Sequence, residues 1–259
     1  MNNEYYGWGL PIDISTHGWE IDRLIVVFHW MMGLLFAGWA IFLVYTIFRF
    51  RARAGHKAEY QPKHFKLPTA LEVIVAVTEA VLLCAFSFPI WHHYRSEFPP
   101  ADRSLQVRVV AEQFAWNIHY PGVDRVFGKS DPKLMNASNP LGLDPNDPAG
   151  NDDVTTINQL HVPVHTPVIV TLSSKDVIHS FSLVVARVKQ DAIPGQPIPL
   201  WFEATKAGEF EIACAQLCGL GHYRMRGFFM VDEKEKFEQW MSEQLAQKTP
   251  PSAPEAAAA

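Results

Sequence analysis

Residues 24–48 read LIVVFHWMMGLLFAGWAIFLVYTIF, a run of 25 in which His29 is the only side chain that can charge near neutral pH. At the α-helical rise such a run is about 37 Å long, enough to cross a hydrocarbon core of about 30 Å with some tilt. A core helix of a soluble domain rarely stays apolar on every face for so long. The run also does not read as a signal peptide, being too long, starting late and lacking a basic leader. It reads as a transmembrane span.

A second apolar stretch, residues 71–91 (LEVIVAVTEAVLLCAFSFPIW), is also long enough to span, but it carries Glu72 near its start and Glu79 in its middle. A carboxylate at membrane depth is costly unless it faces protein or water, so this helix is expected to pack on a larger membrane partner. Glu72 and Glu79 lie seven residues apart, two helical turns, and therefore share a face. Between the spans, RFRARAGHKAEYQPKHFK holds six Arg and Lys against Glu59 alone, whereas the segment before the first span is acidic. The positive-inside rule then puts the basic loop in the cytoplasm and both termini outside.

Beyond about residue 97 the period changes. LQVRVVAEQFAWNIHYP, HVPVHTPVIVTLSS, HSFSLVV, PLWFEATKAGEFEIACA and RGFFMVD read as short strands between turn signals. Repeated short strands of this kind predict an antiparallel β-sandwich. Residues 121–153 form a long Pro-, Asn-, Asp- and Gly-rich loop, residues 233–247 an amphipathic helix, and PPSAPEAAAA a disordered tail. The organisation expected is an outer N-terminal segment (1–23), a two-helix transmembrane hairpin (24–95), a β-domain (96–247) and a tail (248–259).

Composition narrows the classes. With 48% hydrophobic and 19% charged residues, the chain is not disordered over most of its length. A net charge of −5 speaks against nucleic acid as a partner, and three cysteines cannot build a disulfide scaffold. Residues 97–247 hold 19 Asp and Glu against 13 Lys and Arg. That balance suits either a basic protein partner steered by long-range attraction or an ordinary solvated surface.

The chemistry is concentrated in Cys214-Ala-Gln-Leu-Cys218-Gly-Leu-Gly-His222-Tyr-Arg-Met225, with His179 some 35 residues earlier at a strand end. Thiolate and thioether are soft ligands and imidazole is borderline, a set that favours copper over magnesium or calcium. Four-coordinate zinc prefers Cys and His without Met. Two thiolates can bridge two copper ions, each completed by one His and one weaker ligand. Singly, the residues have blander readings: Cys214 and Cys218 as a short disulfide, His222 and Met225 as surface and core. Together their spacing points to a metal. Cys84, inside the second span, reads as core.

The whole set resembles subunit II of the heme–copper oxidases, the cytochrome c oxidase family. The two-helix hairpin, AEQFAWNIHYP, DVIHSF, the KQDAIPG turn, LWFEA and CAQLCGLGHYRMRG occur in that family's order. The resemblance implies a cupredoxin (Greek-key) sandwich with a binuclear copper-A centre. In it Cys214 and Cys218 bridge the coppers, His179 and His222 cap them, and Met225 and the Gln216 backbone carbonyl are weak axial ligands. It implies electrons accepted from cytochrome c or another small donor and passed to haem in catalytic subunit I, which reduces oxygen. It implies a bacterial inner membrane with the copper domain on the periplasmic face. The same input module feeding a nitric oxide reductase is the alternative, and a membrane-anchored copper-binding protein without a redox partner is another.

Three positions depart from the family pattern. Gln216 stands where a Glu often helps hold magnesium, and a neutral amide is a poorer Mg²⁺ ligand, which speaks against that ion here. Phe114, two residues before Trp116, replaces the Trp through which electrons enter. Glu79 replaces a common Pro. Glu72 matches a carboxylate at the mouth of a proton pathway, and Glu79 is a further candidate for that path. A helix N-terminal acid is the alternative reading of Glu72.

Overall fold

The computed structural model describes residues 5–6, 9–57 and 66–248. Residues 58–65 of the basic loop and 249–259 of the tail lie outside these, so the readings made for them are not tested there. The described chain divides into two units, residues 19–96 and the segment up to Gly18 together with everything from Glu97.

The first unit is helical. α1 spans Gly18–Arg49. The second long helix, Lys66–Ser96, consists of α2 (Lys66–Leu82), a π-helical turn (Leu83–Ser87) and α3 (Phe88–Ser96). Both long helices are long and apolar enough to cross a membrane. The wide turn has a local cause. Pro89 has no N–H to donate back and its ring would clash with the carbonyl four residues earlier. The backbone widens just before it, with Phe88 N–H reaching the Leu83 carbonyl and Ser87 Oγ donating to the Leu82 carbonyl at 3.3 Å. Tyr94 Oη donates to Glu20 Oε2 at 2.9 Å, tying the α3 end to the α1 start. Leu82 is buried, whereas Trp30, Phe36 and most other large side chains of the pair are exposed.

The second unit is a sandwich preceded by an antiparallel pair of two-residue strands, β1 (Tyr5–Tyr6) and β2 (Leu10–Pro11). Its strands are β3 (Leu105–Glu112), β4 (Ala115–Tyr120), β5 (Val154–Ile157), β6 (Gln159–Pro163), β7 (Pro167–Ser174), β8 (His179–Leu183), β9 (Val188–Ala192), β10 (Ile198–Glu203), β11 (Gly208–Cys214) and β12 (Arg226–Asp232), followed by α4 (Lys234–Lys248). One sheet has the order β10-β7-β3-β4-β5 and the other β6-β12-β11-β8-β9. The sheets are mixed, correcting the expectation of a purely antiparallel sandwich: β3 runs parallel to β7, and β6 parallel to β12. Strand signals in the sequence are local and do not encode which distant strand becomes a neighbour. β5, directly after the long loop, is a further strand beyond those expected from the sequence, and the first half of KQDAIPG, expected as a turn, is β9; only Ile193–Gln196 turns.

The core follows the period-two pattern. Val107, Val109 and Ala111 of β3 and Val168, Val170 and Leu172 of β7 point inward, against Phe181, Phe202, Phe210, Ile212 and Phe229. The Phe202 and Phe229 rings meet edge to face at 5.6 Å. β4 is buried on both faces: outward, His119 packs on Phe127 of the long loop at 4.9 Å, and inward, Tyr120 packs on Trp240 of α4 at 5.3 Å beside the core residues Trp116 and Ile118. The Asp- and Asn-rich loop is held by its own side chains, as those residues favour. Asp152 accepts from Val123 and Asp124 N–H, and Asp153 accepts from Gly128 N–H and His119 Nε2.

Residues 11–16, just before the first helix, strap onto this sandwich. Ile14 is fully buried, its N–H donates to the Val185 carbonyl at 2.9 Å, and its carbonyl accepts from Thr205 N–H at 2.6 Å.

Candidate metal centre

Strand order brings the remote histidine to the cysteine loop. β8 and β11 are antiparallel neighbours with Cys214 opposite Phe181, so His179 at the start of β8 lies beside the end of β11. The loop from Cys214 then returns to β12 at Arg226, closing with Cys214 N–H on the Met225 carbonyl at 3.3 Å. Ala215 N–H donates to the Ser180 carbonyl at 2.9 Å, which fixes the loop on β8.

Five side chains converge there. Cys214 and Cys218 Sγ are 3.8 Å apart, Cys218 Sγ is 3.6 Å from His222 Nδ1 and 3.7 Å from Met225 Sδ, and His179 Nδ1 is 3.2 Å from Met225 Sδ. The Gln216 backbone carbonyl approaches Cys214 Sγ at 3.2 Å, while the Gln216 side chain is exposed. Both cysteines are free, and their separation is far from the roughly 2.05 Å of a disulfide. His179, Cys218 and Met225 are buried, Cys214 and His222 half-buried.

Two neighbouring thiols in this half-buried site resist ionising together. Burial, and then the neighbouring Cys214, pushes the Cys218 thiol up to about 11. Two thiolates in this pocket would repel, and a soft cation would remove both penalties. The ligand atoms of His179, Cys214 and Cys218 all lie within 4.8 Å of one another, close enough to share a metal ion. The donor set of two Cys, two His and a Met suits copper.

Two residues not singled out from the sequence complete the surroundings. Asp176 Oδ1 holds His179 Nε2 at 2.9 Å, so Nδ1 faces the sulfurs. Burial alone would raise the Asp176 carboxyl, but hydrogen bonds from His179 and from the Gln113 and Val177 backbone outweigh it and hold it low. Gln113 Nε2 donates to the Cys218 carbonyl at 2.6 Å. The Asp-x-x-His spacing was a readable signal for Asp176; nothing local marks Gln113.

Of the two aromatic residues assigned to electron input, Trp116 is fully buried, its ring edge-on to His179 at 6.2 Å. It therefore cannot meet a donor directly. Phe114 is half-buried and lies over the loop at Gly219 and Gly221. A Cβ on Gly221 would collide with the Phe114 ring, so the close approach requires glycine. Leu217, Leu220 and Tyr223 around it are exposed by 77%, 96% and 84%. Glu72 and Glu79 belong to α2, both exposed, with no hydrogen bond or ion pair among the described residues.

The fold and donor set define a protein with two membrane-type helices and a cupredoxin-like sandwich bearing a copper-suited site at one end. Residues 105–230 match the family model described as cytochrome c oxidase subunit II, periplasmic domain. The chain is 35% identical to the alternative cytochrome c oxidase subunit 2 of Bradyrhizobium diazoefficiens, over 92% of this chain and 84% of that one. It is 30% identical to cytochrome c oxidase subunit 2 of Cereibacter sphaeroides, over 83% of this chain and 75% of the relative. Among solved structures, the periplasmic domain of subunit II of cytochrome oxidase from Bradyrhizobium japonicum aligns at 30% identity and a TM-score of 0.43, over 58% of this chain and 99% of that one. The chain belongs to the cytochrome c oxidase subunit II family.

Proposed function

We propose that the chain is the subunit through which electrons enter a membrane heme–copper oxidase, with a binuclear copper-A centre held by His179, Cys214, Cys218, His222, Met225 and the Gln216 carbonyl. The observation that carries this reading is the convergence of two free thiols, two imidazole Nδ1 atoms and a thioether at one end of the sandwich. Copper bound there supplies a one-electron redox couple.

The chain's own residues do the rest. Cys214 and Cys218 offer two thiolates close enough to bridge, and Asp176 keeps the His179 ring oriented. His179 and Cys214 stand at the ends of β8 and β11, and the loop carrying Cys218, His222 and Met225 is pinned by Ala215 N–H on the Ser180 carbonyl and Cys214 N–H on the Met225 carbonyl, so little is free to rearrange when charge changes. Phe114, Leu217, Leu220 and Tyr223 form an apolar surface over the site, suited to transient contact with a small donor such as cytochrome c. The hairpin anchors the domain at the outer, periplasmic face of a bacterial inner membrane, beside a haem-bearing catalytic subunit. The exposed neutral amide of Gln216 gives no support to a magnesium ion here.

The test is the chain purified with its membrane partner. It should hold two coppers per chain at this site, give one electron-spin signal shared between two nuclei, and sit in a complex that consumes oxygen. Cys214→Ser and Cys218→Ser should each abolish the shared signal, and Met225→Leu should shift the potential while retaining metal. One copper, or zinc alone, would sink the binuclear reading. Consumption of nitric oxide without oxygen uptake would replace the acceptor and leave the copper role intact.

A further inference from the structure

Gln113 lies in the two-residue loop between β3 and β4 and contributes no ligand atom, yet it reaches both segments that do. Its backbone N–H donates to Asp176 Oδ2 at 2.7 Å, and the other oxygen of that carboxylate meets His179 Nε2 at 2.9 Å. Its side-chain Nε2 donates to the Cys218 carbonyl at 2.6 Å. One arm thus holds the segment before β8, and the other holds the loop between β11 and β12.

The hairpin that carries Gln113 is itself fixed. Lys175 N–H donates to the Ala111 carbonyl at 2.9 Å, and Lys175 Nζ pairs with Glu112 Oε2 at 2.7 Å. The loop side is shaped to admit the amide. Gly219 has φ +136°, and a Cβ there would stand 2.7 Å from Gln113 Nε2 and 3.2 Å from Phe114 Cζ. Glycine at 219 therefore permits both the backbone turn and the approach of the amide to the Cys218 carbonyl.

We propose that Gln113 is a positioning residue of the metal centre, setting the spacing between His179 and Cys218 through these two arms; this rests on the copper reading above. The ligands belong to two sheet-end segments that share only part of a ladder, Cys214 with Phe181 and Ala213 with Ser182. Gln113, from the opposite sheet, ties them together beyond that ladder. Its side-chain arm acts on Cys218 from the main chain, so losing it frees the carbonyl without touching a ligand atom. Outer partners of metal ligands typically change metal affinity on the order of tenfold or more when removed.

The experiment uses the full chain in detergent, loaded with copper, as wild type and as Gln113→Leu, Gln113→Glu and Gln113→Lys. Copper loss to a chelator, the hyperfine pattern of the spin signal and the melting of the metal-free chain are measured. Gln113→Leu should lose copper on the order of tenfold faster than wild type, with an altered hyperfine pattern. Gln113→Glu, which turns an acceptor toward the carbonyl, should be at least as impaired. Gln113→Lys keeps an N–H donor on a similar stem and should stay within about twofold of wild type, because the bond survives. A Leu variant with wild-type copper retention and spectrum overturns the proposal, whatever its melting temperature. So does a Lys variant as impaired as Leu. Failure of the wild type to bind copper would instead overturn the reading of the site.

Discussion

The helical hairpin and the sandwich use the same apolar residues in opposite ways. Phe36 in α1 is 76% exposed, and Phe202 in β10 is fully buried against Phe229. In the sandwich the protein is its own apolar phase, and each side chain has one fitted position. In the hairpin the apolar surface faces outward, which is stable where lipid or another membrane protein replaces water. Sequence tolerance should differ accordingly: broad along the hairpin wherever polarity is conserved, narrow in the sandwich wherever volume matters.

The largest effect expected from this contrast is on stability. Phe202→Ala should cost the β-unit about 3–5 kcal/mol, by lost transfer energy and the cavity left at Phe229. Phe36→Ala should leave that unit's melting unchanged when both variants are followed by near-ultraviolet circular dichroism. Equal losses would mean that the two regions fold as one cooperative body.

A smaller effect concerns the polar exceptions in the hairpin. Glu79 has no partner among the described residues and lies in a helix that is otherwise apolar at that depth. An ionised carboxylate facing lipid costs several kcal/mol, so its face is expected to meet a hydrogen-bond donor on the membrane partner. Glu79→Leu should reduce recovery of the chain with that partner while copper content per chain holds, and Glu79→Gln should restore recovery. Undiminished recovery of the Leu variant would turn this face toward lipid. Normal assembly of Glu79→Gln with sharply reduced turnover would instead mark proton delivery.

The smallest effect is a pH dependence confined to the sandwich. His119 and His161 are held below the ordinary value of 6.5, chiefly by burial, which outweighs their carboxylate partners Asp153 and Asp232. With folded values lower than unfolded ones, the folded state binds fewer protons. Stability is therefore full above about pH 6.5 and falls as the pH drops through the folded values. Replacing both with Gln should flatten the acid side of the melting curve, while wild-type melting independent of pH between 4 and 7 would contradict it.

The residues of the site differ in how legible they were. Cys214, Cys218, His222 and Met225 share one loop, so their spacing alone suggested a soft-metal site. His179 joins them in the sequence only as a remote histidine at a strand end, and it lies there because β8 and β11 pair antiparallel. Asp176 carried a local signal beside His179. Gln113 carried none, since its contacts cross 63 and 105 residues of chain. Trp116 and Phe114, two apart in sequence, look equivalent as aromatics; packing buries Trp116 of β4 and leaves Phe114, in the β3–β4 loop, over the metal-site loop.

The sequence by itself determined the two long apolar helices, the strand-rich outer region and the metal-type loop. Span length, period-two alternation and ligand spacing are properties of neighbouring residues, and water or lipid reads them directly. Only the tertiary structure decided the parallel pairings of β3 with β7 and β6 with β12, the burial of Ile14 in the sandwich and the link from Gln113 to Asp176 and Cys218. Each depends on which distant segment fills a given volume and satisfies a given hydrogen bond, and that choice is made by the packed core as a whole.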